Sequence, residues 1–485
     1  MLILAFPRTG LYPLAWVALV PLLAALRRTR PVGSLVLGLV TGFIFFGGLL
    51  YWISLFGYLP CALLALVEAV SVAVFALLAG LSMRHGRFTI LTVPAIWTAI
   101  EYLRSLGAFG LTWGDLAYSQ ARWLPIIQVS SITGPWGVTF LIVMLNTAIA
   151  LAIIDFRKVR LQLAVAAGVV LVTAIGGAVS ISITHHKIIP DKTVAMVQGG
   201  IEMRWRDDNL SEEIYKTYWP MTEKLGHGVD FIIWPESALP DYLLASPYLQ
   251  NEMSVLARNS GADILAGGQD IKLDEHAASG YREYNGAYLI SPKGKIIGEY
   301  HKTHLVPFGE FVPGRNWLPF INNYRVRDVD YSPGTGYHIL HSQKGNIGVM
   351  ICFESIFPQI GRMFAKNGAN VLFVITNDSW FGNTAAAAQH HDFAVFRAVE
   401  NRRYVARNAT TGITSLISPS GEVIKSAGLG KKSVVQGKLA MISGKTIYTK
   451  YGDWFVWLSL AVGLIGLMRG SRKPDLPYTQ MGHPR

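Results

Sequence analysis

Long apolar runs dominate the first third of the chain and return once near its end. Seven of them are candidate membrane spans: 11–26, 33–56, 60–82, 88–103, 136–154, 162–183 and 453–469. About 20 consecutive apolar residues are enough to cross the hydrocarbon core of a bilayer as a helix. Between Arg30 and Arg84 the only charged residue is Glu68. The pattern predicts a multi-span α-helical membrane domain over 1–184 and a C-terminal anchor with a cytoplasmic tail over 453–485.

The intervening residues, 185–452, alternate between short apolar runs and polar stretches. The apolar runs end at turn residues, as buried strands do, and lie at 192–200, 229–237, 262–269, 346–355 and 369–378. Helical spacing occurs between them, near 211–226, 247–260, 356–368 and 385–402. The segments "LISPKGKIIGEY" and "LISPSGEVIKS" are typical of β-hairpins. Alternation of this kind predicts an α/β domain.

Composition and charge support a membrane protein. Of the 485 residues, 51% are hydrophobic, and the mean hydropathy is +0.34. The net charge of +12 does not indicate nucleic-acid binding, because the expected Lys/Arg-rich run is missing. Much of the excess lies in short loops after apolar spans: Arg27, Arg28, Arg30, Arg84, Arg87, Arg157, Lys158, Arg160, Arg469, Arg472 and Lys473. Basic loops are typically cytoplasmic, so we expect a bacterial inner-membrane protein whose 185–452 domain faces the periplasm.

Two features of the apolar region remain open at this point. The segment "MLILAF" at 1–6 is too short to span a bilayer and lacks the layout of a cleavable signal peptide. One interpretation is that it is the remnant of a further helix. Glu68 is an acid within a candidate span, which by default suggests a functional role. The alternative is an acid that faces a wet groove or reaches an interface.

Reactive side chains lie at the ends of several predicted strands. Glu236, Cys352 and Asn377 each end a strand, and in open α/β sheets the chemistry lies beyond the carboxyl ends of strands. Lys302 lies in "HKTHLVPFGEFVP". A carboxylate can accept the proton of a thiol, and an ammonium can stabilise a thiolate and an oxyanion. Cys352, Glu236 and Lys302 would therefore support acyl transfer through a thioester, without metal or cofactor.

Spacing alone does not show that these three residues meet, but their surroundings resemble a known family. "WPES", "KTHLVPFGE" and "ICFE" are similar to segments of the nitrilase superfamily, which carries a Glu-Lys-Cys triad on an α-β-β-α sandwich. The longer "KTHLVPFGEFVP", together with "VQGG" and "SWFG", resembles the membrane-anchored branch, the apolipoprotein N-acyltransferases. The order of spans, soluble domain and last span also fits. That branch usually has eight spans, whereas seven are counted in this chain.

The resemblance implies a reaction and a set of residue roles. These enzymes move an acyl chain from a phospholipid, typically phosphatidylethanolamine, to the α-amino group of the diacylglyceryl-cysteine that begins an apolipoprotein. The motifs assign Cys352 as nucleophile, Glu236 as general base and acid, and Lys302 to the oxyanion. Supporting roles fall to Glu310 and Glu354 near the triad, Trp205 near the lipid entrance, and Phe353 through its backbone N–H. Phe353 replaces the commoner tyrosine. We expect a monomer with the lipid bilayer as partner, no metal and no cofactor.

Each of these residues also has a less specific interpretation. Cys352 could be an inert buried thiol or form a disulfide with Cys61, since the periplasm is oxidising. Glu236 could cap a helix or pair with a surface cation, and Lys302 could be a solvated loop lysine. Glu310 could be a hydrogen-bonded structural acid. Trp205 could anchor the domain at the membrane interface.

A metal site and two other functions are further alternatives. His390, His391 and Asp392 suggest metal ligands, but adjacent side chains of a helix project in different directions. We interpret this stretch as the start of a packing helix. A membrane-tethered amidase or nitrilase-type hydrolase would use the same triad with water as acceptor. A catalytically inactive lipid-binding or scaffold protein would need none of these residues.

Overall fold

The computed structural model describes residues 1–85, 88–202, 209–277, 279–314 and 330–471. Its helices are α1 (Val20–Leu26), α2 (Pro31–Leu49), α3 (Tyr58–His85), α4 (Thr89–Arg104), α5 (Leu124–Ile127), α6 (Ser130–Thr133), α7 (Trp136–Lys187), α8 (Leu210–Glu223), α9 (Pro247–Ser260), α10 (Pro358–Lys366), α11 (Ala386–Asn401), α12 (Ile447–Tyr451) and α13 (Trp454–Ser471). Asp155 has non-helical backbone angles inside α7. It therefore separates the segments predicted as spans at 136–154 and 162–183.

Among the described residues, three helices are long and apolar enough to cross a membrane: Pro31–Leu49, Tyr58–Arg84 and Trp136–Lys187. Shorter apolar helices cover Tyr12–Leu26, Leu124–Thr133 and Trp454–Met468. Two predicted spans differ from the structure. The run at 11–26 is a 3-10 helix at Tyr12–Trp16 followed by α1, and the run at 33–56 leaves the α-helix after Leu49. Prolines in the first run, and a change to 3-10 geometry in the second, interrupt the hydrogen-bond ladder of a continuous helix.

Small residues bring α2 and α3 close together. A Cβ built on Gly38 would lie 2.6 Å from the Cβ of Ala76, and one on Gly42 would lie 2.8 Å from the Cα of Ala69. Small residues four apart let helix backbones approach in this way. The segment "MLILAF" does not form a span: Leu2–Ala5 is a short 3-10 helix whose Ile3 packs on Gly48 of α2.

Glu68 takes part in a buried ionic cluster that joins α3, α4 and the loop after α4. Its Oε2 accepts from Arg104 Nε at 2.6 Å, and Asp115 Oδ1 accepts from Arg104 Nη1 at 2.9 Å. Arg104 also donates to the carbonyl of Trp113 at 2.9 Å. Burial of Glu68 and Asp115 beside the largely buried Arg104 is tolerated because each charge has an opposite charge within hydrogen-bond distance. The contacts indicate a structural role for Glu68.

Replacing Arg104 by leucine is expected to destabilise the helical region. It leaves two buried carboxylates without their cation, and loss of one partner of a buried pair costs about 3–5 kcal/mol. Thermal melting of the detergent-solubilised protein measures the effect. Lys158→Leu is the control, because the Lys158–Asp155 pair has an 84% exposed lysine and surface pairs contribute little. A melting temperature for Arg104→Leu no lower than that of the control would contradict the structural role.

The strands form two six-stranded sheets. They are β1 (Lys192–Gln198), β2 (Phe231–Ile233), β3 (Asp263–Leu273), β4 (Tyr281–Ile290), β5 (Ile296–His301), β6 (Leu340–Ser342), β7 (Gly345–Ile351), β8 (Val371–Thr376), β9 (Val405–Ala409), β10 (Thr414–Ile417), β11 (Val423–Ala427) and β12 (Ser433–Leu439). The first sheet has the order β12-β1-β2-β3-β4-β5 and the second β11-β10-β9-β8-β7-β6. Strands β1 to β3 and β7 to β9 are parallel.

The two sheets pack face to face, with helices on the outside. Along β1, Val194 and Met196 join the core between the sheets, whereas Ala195 and Val197 join a second core beneath α8 and α9. This alternation follows from the two-residue period of a strand. Helices α10 and α11 cover the second sheet. The result is the α-β-β-α sandwich predicted from the sequence.

The sandwich contacts the helical region through α11 and through the 3-10 helix Cys352–Ile356. The indole N–H of Trp113 donates to Gln389 at 2.7 Å, and Arg397 donates to the hydroxyl of Tyr118 at 3.0 Å. Thr112 donates to the carbonyl of Ile356 at 2.9 Å. The loop after α4 therefore packs against the same helix that lies behind the carboxyl ends of β7 and β8.

Candidate active site

Cys352 is the first residue after β7 and begins a short 3-10 helix, Cys352–Ile356. Its φ of +52 lies in the left-handed region, which is unfavourable for residues other than glycine and is often found at functional sites. Cys352 and Cys61 are both free, so the alternative of a disulfide between them is wrong. Burial raises the pKa of the Cys352 thiol, and the charge of Glu236 raises it further, while Lys302 lowers it. The resting group is therefore a thiol that needs a base.

Glu236 lies just beyond β2 and is 5% exposed. Its Oε1 accepts from Asn285 Nδ2 at 2.7 Å, and its Oε2 accepts from the backbone N–H of Asn377 at 2.6 Å. The ammonium of Lys302 lies 3.9 Å from Oε1. Burial raises the pKa of Glu236 against the opposing effects of Lys302 and the two hydrogen bonds. A buried carboxylate with a raised pKa beside a thiol is suited to accept and return its proton.

Lys302 follows β5 and is held by Glu310. Its Nζ lies 3.0 Å from Glu310 Oε1 and 2.9 Å from Oε2. Glu310 is fixed in turn by Asn285 Nδ2 at 3.0 Å and the backbone N–H of Val306 at 2.8 Å. Burial disfavours the charged lysine, but the carboxylates of Glu310 and Glu236 outweigh it and raise its pKa. The lysine therefore remains an ammonium, as a group that stabilises an oxyanion must be.

Glu354 joins the segment around Lys302 to the turn that begins at Cys352. Its Oε1 accepts from the hydroxyl of Tyr300 and from both the N–H and hydroxyl of Thr303, at 2.7–2.8 Å, and from the N–H of His304 at 3.2 Å. Its Oε2 accepts from the N–H of Ile351 at 2.9 Å. A buried carboxylate can accept many such bonds because it has lone pairs and no proton. Glu354 therefore sets the spacing between Lys302 and Cys352.

Replacing Glu354 by glutamine is expected to lower both stability and turnover. In the wild-type protein the donors share the two oxygens of the Glu354 carboxylate, whereas a glutamine amide has only one acceptor oxygen. A buried donor left without an acceptor costs about 1–3 kcal/mol. Thermal melting and the turnover rate measure the two effects. Glu223→Gln is the control, because Glu223 lies at the surface end of α8. A Glu354→Gln protein as stable and as active as that control would show that the carboxylate is dispensable.

The remaining predicted site residues are placed as follows. The ring of Phe353 packs edge-on against Phe357, with centroids 5.2 Å apart, and lies near His304. Burial lowers the pKa of His304 to about 4, with Lys302 acting in the same direction. Trp205 lies outside the described residues. The structure thus groups Glu236, Lys302, Glu310 and Glu354 around the turn at Cys352.

Some residues of this region were missed by sequence reasoning. Asn285, in β4, bridges Glu236 and Glu310, and the interaction of the Thr376 side chain with Cys352 lowers the pKa of the thiol. Neither lies in a motif that distinguishes it from ordinary strand residues. His390 was interpreted only as part of a packing helix, but its ring contacts the carbonyl of Cys352 at 3.2 Å.

Two groups of side chains among the described residues are of the types that bind metals. The rings of His390 and His391 point to different partners, Asp378 and Ser415, so they do not share an ion. Asp270, Glu299 and His301 have ligand atoms within 4.8 Å of one another. The ammonium of Lys272 already lies 2.8 Å from Glu299 and 3.8 Å from Asp270. This lysine supplies the positive charge that a metal would bring.

Comparisons with known proteins place the chain in a family. The model of the apolipoprotein N-acyltransferase N-terminal domain matches residues 1–148, and that of carbon-nitrogen hydrolase matches residues 193–444. An apolipoprotein N-acyltransferase of Geobacter metallireducens is 35% identical over 95% of this chain and 91% of its own length. One of Chlorobaculum tepidum is 28% identical over 96% of this chain and 94% of its own length.

Solved structures that resemble this one include Saccharomyces cerevisiae Nit3, a member of branch 10 of the nitrilase superfamily. It is 21% identical and covers 52% of this chain and 91% of its own, with a TM-score of 0.39. The family assignment rests on the sequence matches, which extend over both the helical region and the sandwich. The chain belongs to the apolipoprotein N-acyltransferase family.

Proposed function

We propose that this protein transfers an acyl chain from a phospholipid to the N-terminal α-amino group of a diacylglyceryl-cysteine apolipoprotein. Phosphatidylethanolamine is the expected donor. The observation that carries the proposal is that the buried residues Glu236 and Lys302, with Glu310, lie around Cys352, which is itself partly exposed. The helices of the same chain are apolar enough to span a membrane. The names of the relatives support the same reaction.

In the first half-reaction, the Cys352 thiol gives its proton to Glu236 while Sγ attacks the ester carbonyl carbon of the phospholipid. Negative charge develops on the carbonyl oxygen, where the ammonium of Lys302 and the backbone N–H of Phe353 stabilise it. Collapse of this intermediate breaks the carbon–oxygen bond of the ester. Glu236 returns the proton to the departing alcohol, which leaves as a lysophospholipid, and the acyl chain remains on Cys352 as a thioester.

In the second half-reaction, the α-amine of the apolipoprotein attacks the thioester carbonyl. Glu236 takes a proton from the amine as the carbon–nitrogen bond forms, and the same two donors hold the oxyanion. The carbon–sulfur bond then breaks, and the proton passes from Glu236 to the departing sulfur. Cys352 is regenerated as a thiol. The lysophospholipid must leave before the second lipid arrives, so ping-pong kinetics are expected.

The proposed reaction explains why the sandwich is attached to apolar helices at both ends. Donor and acceptor both carry lipid chains, so the site must lie close to a bilayer surface. We place the helices across the bacterial inner membrane as a multi-pass protein, with the sandwich on the periplasmic side, because the short loops after several spans are basic and basic loops are typically cytoplasmic. Both substrates can reach one chain from the outer leaflet, and we expect a monomer.

A two-substrate assay tests the proposal. The purified protein in phospholipid–detergent micelles is incubated with phospholipid carrying a labelled acyl chain, and then with a diacylated lipopeptide. We expect label on Cys352 before the peptide is added, and on the peptide amine afterwards. Rapid release of labelled free fatty acid without acylated peptide would instead identify a hydrolase. Absence of label from both protein and peptide would contradict the acyltransferase proposal altogether.

A further inference from the structure

The backbone carbonyl of Cys352 is held by two side-chain hydrogen-bond donors. The hydroxyl of Ser355 donates to it at 2.8 Å, and Nε2 of His390 lies 3.2 Å from it. His390 Nε2 also lies 3.0 Å from the hydroxyl oxygen of Ser355. A carbonyl oxygen only accepts, so the bond from the imidazole requires a proton on Nε2. The Cys352 carbonyl is therefore fixed by two side chains outside the triad.

The His390 ring is itself locked by a buried ion pair. Its Nδ1 lies 3.0 Å from Asp378 Oδ1 and 3.1 Å from Arg407 Nη2, and Arg407 pairs with Asp378 Oδ2 at 2.7 Å. Thr376 donates to Asp378 at 2.8 Å, and the indole of Trp113 stacks against the ring with centroids 5.8 Å apart. All of these side chains are buried. A cluster with this many fixed polar groups holds the imidazole in one orientation.

Fixing this carbonyl also fixes the neighbouring N–H. The peptide bond between Cys352 and Phe353 is trans and planar, so its C=O and N–H point in opposite directions. With the carbonyl directed at Ser355 and His390, the Phe353 N–H points away from them. This N–H lies in the first turn of the 3-10 helix Cys352–Ile356, where N–H groups have no acceptor within the helix. It is therefore available to a ligand.

The same contacts support the strained backbone at Cys352. A left-handed conformation at a non-glycine residue costs of the order of 1–3 kcal/mol and persists only where the surroundings hold it. The two donors to the Cys352 carbonyl are such a constraint. Relaxation of this residue would rotate the peptide and turn the Phe353 N–H away from the position of a developing oxyanion. Preorganised donors of this kind give most of their stabilisation in the transition state.

We propose that His390, together with Ser355, is a positioning residue that orients the Cys352–Phe353 peptide so that the Phe353 N–H stabilises the oxyanion. The inference rests on the proposed function, because it needs a reaction with a tetrahedral intermediate. It assigns a task to the Asp378–Arg407 pair, which keeps the imidazole in place. The ordinary alternative is that His390 is a buried histidine with satisfied hydrogen bonds that contributes only to stability.

The neighbouring histidine supplies a matched control. His391 lies on the same helix, is also buried, and bonds to Ser415 at 2.8 Å instead of to the cysteine turn. His390→Leu and His391→Leu remove one buried imidazole each at almost the same place in the fold. His390→Gln keeps an N–H donor near the position of Nε2. Ser355→Ala removes the second donor and leaves His390 in place.

Two reactions of Cys352 distinguish a change in the orientation of the Cys352–Phe353 peptide from general damage to the active site. Acylation by labelled phospholipid passes through an oxyanion, whereas alkylation by iodoacetamide displaces iodide and forms none. Both are followed on the full-length protein in micelles, by mass spectrometry of the peptide that contains Cys352. For His390→Leu we expect acylation to slow by about 10- to 100-fold, less than for loss of a whole oxyanion donor. Alkylation should stay close to that of His391→Leu.

The outcomes distinguish the inference from the function on which it rests. Slower acylation with normal alkylation, partial recovery in His390→Gln and a smaller deficit in Ser355→Ala support it. Equal acylation rates for His390→Leu and His391→Leu overturn it, and so does a parallel loss of acylation and alkylation. If His390→Leu does not fold, Ser355→Ala decides by the same two rates. Failure of the wild-type protein to become acylated would contradict the proposed function instead.

Discussion

Replacement of Cys352 by alanine is expected to abolish both the acyl-enzyme and the acylated lipopeptide. Alanine has no nucleophile, and the remaining groups only bind and polarise the ester, so a loss of at least about 10⁴-fold is expected by comparison with nucleophile deletions in other enzymes. Direct attack by the amine on the phospholipid ester would need both lipids in the site at the same time. Transfer of labelled acyl chains to the lipopeptide measures the loss.

The control for this substitution is Cys61→Ala. Cys61 is the other cysteine of the chain, is buried at the start of α3, and has its thiol 3.6 Å from the carbonyl of Leu50. Its loss removes a small buried group, so the variant should retain the acyl-enzyme and most of the activity. If Cys352→Ala transferred acyl chains to the lipopeptide as well as the wild-type protein does, a thioester on Cys352 would be ruled out. Loss of transfer in both variants would point to unfolding.

Replacement of Glu236 by glutamine is expected to slow both half-reactions by about 10²- to 10⁴-fold, the usual contribution of general acid–base catalysis. Glutamine keeps the size of the side chain and can still accept from Asn285 or from the Asn377 N–H. It cannot take the thiol proton, which the raised pKa of Cys352 keeps on sulfur near neutral pH. Pre-steady-state acylation and subsequent transfer to the lipopeptide measure the two steps separately.

The pH profile gives an independent test of the same residue. Burial raises the pKa of Glu236, and the base must be ionised to accept a proton. Activity should therefore fall as pH drops through this raised pKa, at higher pH than for an ordinary glutamate. Glu236→Gln should lack this fall in activity on the acidic side of the profile, the acidic limb. Glu213→Gln, at an exposed position of α8, should keep wild-type rates and the limb. A Glu236→Gln protein with the wild-type profile would assign the base elsewhere.

The sandwich is the part of the fold that the sequence predicts best. Five predicted strands correspond to β1, β2, β3, β7 and β8, and four predicted helices to α8, α9, α10 and α11. The helices have a clear hydrophobic period, because one face of each packs on a core. The strands are recognisable as short apolar runs, because both of their faces are buried. The helical region is less well predicted at its start, since a continuous apolar run does not show where a helix breaks. The domain boundaries and the individual catalytic roles stay predictions.

The sequence by itself determined that the chain has an apolar helical region and an α/β region. It also determined the strand ends that carry Glu236 and Cys352, and the family. Local pattern suffices for these features because strand and helix periods, and short motifs, are properties of neighbouring residues. Only the tertiary structure decided which distant polar groups meet. Asn285 and Glu236 are 49 positions apart, and His390 and Cys352 are 38 apart. Such contacts depend on how two sheets and a helix pack, because a buried polar group must find its partner wherever the fold places one.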